Sequence, residues 1–121
     1  MNNLDLHLST AETNAVLAAL PLALYADFDT SPEQKELNAN LSAVVMEKLL
    51  RNSNSMKFTA NETRIICACV GLAKSLLAGE IDMDIDADLR KELSRHYFTY
   101  CSLYPRTEKL FNRMDWRFSN R

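Results

Sequence analysis

Glycine is almost missing from this chain. Its 121 residues include 2 Gly and 3 Pro, too few for glycine-rich phosphate loops, for the many tight turns of a sandwich or barrel, or for a low-complexity linker. Long apolar runs are missing as well. The longest, Ala15 to Ala26, is interrupted by Pro21 and falls short of the roughly 20 residues that a membrane-spanning helix needs, so no span is expected. Three cysteines, an odd number, with Cys67 and Cys69 two apart, suit neither a disulfide framework nor the C-x-x-C half of a zinc site. They read as small core residues in a reducing compartment. The N-terminus carries Asp5 and His7 where a secretory signal needs a basic start and a cleavage site after an apolar run. A cytoplasmic location is the expectation.

What remains is a soluble, mostly helical composition of one domain's length, with 47% hydrophobic and 25% charged residues, and the expected domain is the whole of 1–121. Its charge is lopsided. Residues 1–89 hold 13 Asp+Glu against 6 Lys+Arg, a net of −7, whereas residues 90–121 hold 3 against 8, a net of +5.

Self-similarity is the strongest organisational signal. Leu8-Ser9-Thr10-Ala11-Glu12-Thr13 returns fifty residues later as Phe58-Thr59-Ala60-Asn61-Glu62-Thr63, each copy followed by a run rich in Ala or Cys. Each contains a capping box, Ser9 with Glu12 and Thr59 with Glu62, in which hydroxyl and carboxylate each satisfy an orphan backbone donor at a helix start. The expected fold is all-α: two pseudo-repeated helical hairpins, about 4–52 and 54–104, in a four-helix bundle-like domain with a short C-terminal fifth helix.

The first helix is expected over Thr10 to Asp27 with a kink or break at Pro21, which lacks a donor and clashes with the preceding turn. The second opens at Ser31-Pro32-Glu33-Gln34, another capping box. Its expected buried stripe is Leu37, Leu41, Val44, Val45 and Leu49. The third should run from Ala60 to Ala78 with Gly79 as its stop, and Gly71, at the repeat position of Pro21, weakens it. The fourth follows the acidic stretch Glu80 to Asp88, buries Leu89, Leu93, Tyr97, Tyr100 and Cys101, and should end before Pro105. Three segments alternate apolar and polar residues: Leu4 to Leu8, Met56 to Phe58 and Ile81 to Ile85. The first two precede the repeated helices, so a minimal β ribbon joining the hairpins is a further expectation.

Chemistry-bearing motifs are sparse. Asp82, Asp84, Asp86 and Asp88 follow the first half of an EF-hand loop, but its turn glycine and closing glutamate are replaced by Ala87 and Leu93, so the carboxylates have no reason to converge on calcium. Asp84 or Asp86 serves better as a helix cap. Asp88, Glu92 and His96 form an i, i+4, i+8 row without a second histidine, which suits a solvated flank better than a metal site. No nucleophile–base–acid spacing exists, so no catalytic residue, cofactor or metal is expected and the chain reads as a non-enzyme.

Residues 105–121 are the most unusual. In a helix from Arg106, the basic residues Arg106, Lys109, Arg113 and Arg117 share one face, and Leu110, Phe111, Met114 and Phe118 another, with Trp116 adding aromatic surface. These nine are the candidate partner-binding residues, since Arg and aromatic side chains are enriched at interface hot spots. The expected function is a protein–protein interaction module that self-associates as a homodimer, the acidic stretch of one copy facing the basic stripe of the other. The alternative is a nucleic-acid-associated regulator using the basic segment.

Overall fold

A computed structural model describes residues 4–25, 31–51 and 56–113, and the chain is mostly helical. In order, the elements are β1 (Leu4–Leu6), α1 (Thr10–Ala19), α2 (Leu22–Tyr25), α3 (Pro32–Leu50), β2 (Met56–Phe58), α4 (Ala60–Leu77), α5 (Ala87–Ser94) and α6 (Tyr97–Arg113). No helix among the described residues is long and apolar enough to cross a membrane. The strands pair antiparallel, Leu4 with Phe58, Asp5 with Lys57 and Leu6 with Met56.

Both repeated helix starts carry complete capping boxes. Glu12 N–H donates to Ser9 Oγ at 3.1 Å while Ser9 N–H donates to Glu12 Oε1 at 2.8 Å. The Thr59–Glu62 pair repeats this at 3.2 and 2.9 Å. The first helix breaks at Leu20 and Pro21, where Leu20 N–H still reaches the Val16 carbonyl before the short α2 starts. Asp27, the expected end of that helix, lies outside the described residues, as do Ala26 and the link 52–55. The stop after α4 is a Schellman turn: Gly79 has φ +78°, and Gly79 and Glu80 donate to the Leu76 and Ser75 carbonyls.

α4 runs unbroken through Gly71. A Cβ there would lie 2.8 Å from Tyr104 Cε1, so the glycine's place in the fold is the close approach of α6. Around this contact sits one core, with Val16, Leu20 and Leu22 from α1 and α2, Val45 and Leu49 from α3, Phe58, Ile66 and Val70 on and after β2, and Leu93, Tyr100 and Leu103 from α5 and α6. Tyr100 is fully buried and donates to the Ala15 carbonyl at 2.8 Å.

Three expectations need correction. The expected fourth helix is two, because the chain turns at Arg95 and His96, whose amides bond to the Glu92 and Leu93 carbonyls. Nor does the second of these, α6, end before Pro105. It continues to Arg113 and absorbs the described part of the expected fifth helix. Proline inside a helix costs about 3 kcal/mol. Here the flanking residues hold the helix in place: Leu103 and Thr107 are fully buried, and Thr107 Oγ1 donates to the Tyr104 carbonyl at 2.8 Å.

The third correction concerns α3, whose buried face is rotated away from the expected stripe. Asn38, Ser42, Val45 and Leu49 are buried, whereas Leu37 and Val44 are exposed. Polar pairing makes this rotation tolerable. Ser42 Oγ donates to the Asn38 carbonyl at 2.9 Å, Arg64 donates to Asn38 Oδ1 at 3.5 Å, and Lys48 Nζ meets Glu62 Oε1 at 2.5 Å.

Candidate protein interface

The rotation of α3 leaves Met46 and Leu50 partly exposed, with Leu50 65% exposed. Consecutive helix residues point in different directions, and with Val45 and Leu49 turned inward their apolar neighbours Val44, Met46 and Leu50 remain exposed. The break at Pro21 completes the feature. Leu20 and Pro21 form one wall, and Ala39, Ala43, Met46 and Leu50 of α3 the other, of a groove of about 530 Å³. Its rim charges, Glu47 and Arg51, pair with each other, and Ser42 is satisfied by its own helix. The groove therefore offers contact for apolar side chains and no free polar partner for a polar ligand.

The candidate partner-binding residues of the sequence lie elsewhere. Of its nine candidates, Arg106 is engaged within the molecule, donating to Glu12 Oε2 and to the His7 carbonyl, both at 2.5 Å. It is thereby drawn out of the expected basic stripe. Lys109 is exposed on α6. Leu110, Phe111 and Arg113 belong to the α6 backbone, whereas Met114, Trp116, Arg117 and Phe118 lie outside the described residues. The groove residues escaped the sequence reading because Leu37 and Val44 were assigned to the core. The doubled apolar pairs on α3, taken with Pro21, were the available signal.

The acidic stretch alternates apolar and acidic side chains along the edge of the fold. Ile81, Met83 and Ile85 pack against the core, and Asp82, Asp84 and Asp86 project into solvent between them. Asp86 caps α5, accepting from Asp88 N–H at 3.4 Å. His96 Nε2 lies 3.1 Å from Glu92 Oε2, closing the row as a local side-chain contact across the α5–α6 turn. No group of three or more His, Cys, Asp or Glu able to hold a metal occurs among the described residues.

A second groove of about 450 Å³ lies between α4 and α6, with Cys67 and Gly71 on its floor and Arg64, Lys74 and Glu108 at its edges. Two of its charged groups are partnered. Lys74 sits 5.7 Å above the Tyr104 ring, and Tyr104 Oη donates to Glu108 at 3.2 Å. Burial raises the Cys67 thiol pKa and pushes Cys69 up to about 12, so both stay protonated near neutral pH and are poor nucleophiles. Comparison of the chain with protein-family models, with curated proteins and with solved structures finds no match.

Proposed function

We propose that this chain is a non-enzymatic helical protein–protein interaction module that self-associates as a homodimer in the cytoplasm. The observation that carries the reading is the apolar groove between the Pro21 elbow and α3, with Met46 and Leu50 exposed beside it. Apolar surface gathered in a concave site with internally paired rim charges gains free energy when a second protein covers it.

The module is built, in this reading, as two pseudo-repeated hairpins in a four-helix bundle-like arrangement. Support comes from the ribbon, where Leu6 pairs with Met56, the residue fifty positions later, as a local two-fold relation between repeats requires. Further support comes from the capping boxes. Glu12 receives Arg106 from α6 and Glu62 receives Lys48 from α3, so each repeat's first helix is tied down by the other repeat's last. Three unpaired cysteines support the cytoplasmic placement.

The test is light scattering on the full chain across the micromolar range. Self-association is expected, and Met46→Glu with Leu50→Glu should weaken it while far-UV circular dichroism stays unchanged. A chain that remains monomeric overturns the reading.

A further inference from the structure

We propose that the cleft between α4 and α6 binds a small amphiphilic monocarboxylate, with Arg64 holding the carboxylate and the apolar tail lying over Gly71 towards Ile81. The site is separate from the groove beside Pro21 and does not depend on self-association.

Arg64 selects the head group. Its side chain is half-buried at the cleft edge, and among the described residues its one hydrogen bond is to Asn38 Oδ1 at 3.5 Å, longer than a strong N–H···O bond. A guanidinium carries a planar fork of donors that fits a carboxylate bidentately, so most of the Arg64 donors remain for a ligand. Lys74, the other cation of the cleft, lies over the Tyr104 ring, and Glu108 accepts from Tyr104 Oη. Two cations against one carboxylate leave the lining with a net of +1. That balance suits a monoanion better than a dianionic phosphate.

The remaining lining selects a single apolar tail. Between the charged groups lie Cys67, Ala68, Gly71 and Leu72 of α4 and the Tyr104 ring of α6, and Ile81 stands where the chain turns beyond Gly79. Burial keeps the Cys67 thiol protonated near neutral pH, so it adds no charge. Arg64 and Gly71 are about 10 Å apart along α4 at the helical rise per residue, which separates head from tail by more than a short acid such as acetate can span. A peptide backbone laid on these walls would lose the hydration of its amides without regaining hydrogen bonds from them. A saturated tail gains by burial alone.

Octanoate, kept below its micelle concentration, is the probe, titrated into the full-length protein by calorimetry and followed by amide proton–nitrogen NMR. Saturable binding is expected, with shifts centred on Arg64 to Leu72 and on Tyr104. Octanol, which keeps the tail, and acetate, which keeps the head, should each bind at least about tenfold more weakly, and Arg64→Gln should weaken octanoate by a similar factor while leaving octanol unchanged. Octanol binding as tightly as octanoate, an Arg64→Gln variant of undiminished octanoate affinity, or tighter binding of octyl phosphate overturns the proposal. Shifts centred on Met46 and Leu50 also overturn it, by placing octanoate in the groove beside Pro21, and so does the absence of binding. Should Arg64→Gln fail to fold through loss of its contact with Asn38, the octanol comparison and the shifts of the unmodified protein still decide.

Discussion

Arg106 of α6 reaches across the fold to Glu12 of α1, 94 positions away, and donates to a carboxylate whose other oxygen accepts from Ser9 N–H. One glutamate thus joins a local helix cap to a long-range ion pair. With Arg106 47% and Glu12 16% exposed, solvent screens the pair only in part. Arg106→Ala should lower stability by about 1 kcal/mol. Arg106→Lys should not restore it, because one ammonium cannot hold both the carboxylate and the His7 carbonyl in the guanidinium's geometry. Denaturant unfolding of both variants, with Glu12→Gln to complete a double-mutant cycle, measures the coupling. Strict additivity of Arg106→Ala and Glu12→Gln would contradict it.

The two caps should be energetically alike. Ser9→Ala and Thr59→Ala each remove an acceptor for an orphan helix donor, at a cost of about 1 kcal/mol. Urea midpoints of the two variants should fall by similar amounts with unchanged slope. A neutral result at either site would mean that water replaces the hydroxyl without loss.

Gly71 and Tyr104 should show opposing effects that a cycle separates. Alanine at position 71 gains about 1 kcal/mol of helix propensity, but its Cβ would press on Tyr104 Cε1 and displace a ring bonded to Glu108 beneath Lys74. Gly71→Ala should therefore be clearly stabilising in a Tyr104→Ala background and less so, or destabilising, in the unmodified protein. Equal effects in both backgrounds would show that the ring yields freely.

Local capping chemistry made the helix starts legible in the sequence, since Ser9–Glu12 and Thr59–Glu62 depend on residues three apart. The stop at Gly79 and the break at Pro21 were legible for the same reason. Tertiary context hid the rest. Pro105 would end an isolated helix, yet buried Leu103 and Thr107 carry α6 past it. The face that α3 buries depended on partners distant in sequence, Arg64 for Asn38 and Glu62 for Lys48, which no periodicity on α3 encodes. The groove followed from that rotation and was hidden with it. Arg106 looked like part of an outward stripe because spacing shows which residues share a face but not what that face meets.

Alkaline pH should lower the protein's stability in two recognisable phases. Burial pushes the Cys69 thiol from its ordinary 9.0 up to about 12, and raises the Tyr100 phenol well above its ordinary 10.0. In both cases the folded chain keeps a proton that the unfolded chain releases. Stability from these groups is therefore complete below the unfolded pKa and is lost as pH rises from there towards the folded value, by about 1.4 kcal/mol per pH unit for each proton. Loss should begin near pH 9 with Cys69 and steepen near pH 10 as Tyr100 joins it. Urea unfolding in a reducing buffer at a series of pH values measures the slope directly. Cys69→Ala should abolish the earlier component at the cost of a small cavity. Tyr100→Phe should reduce the later one while lowering stability at neutral pH by about 1 kcal/mol, through loss of the bond to the Ala15 carbonyl. If the slope above pH 9 is unchanged in Cys69→Ala, the thiol is reached by solvent in the folded state and the burial of Cys69 against Leu20 does not hold.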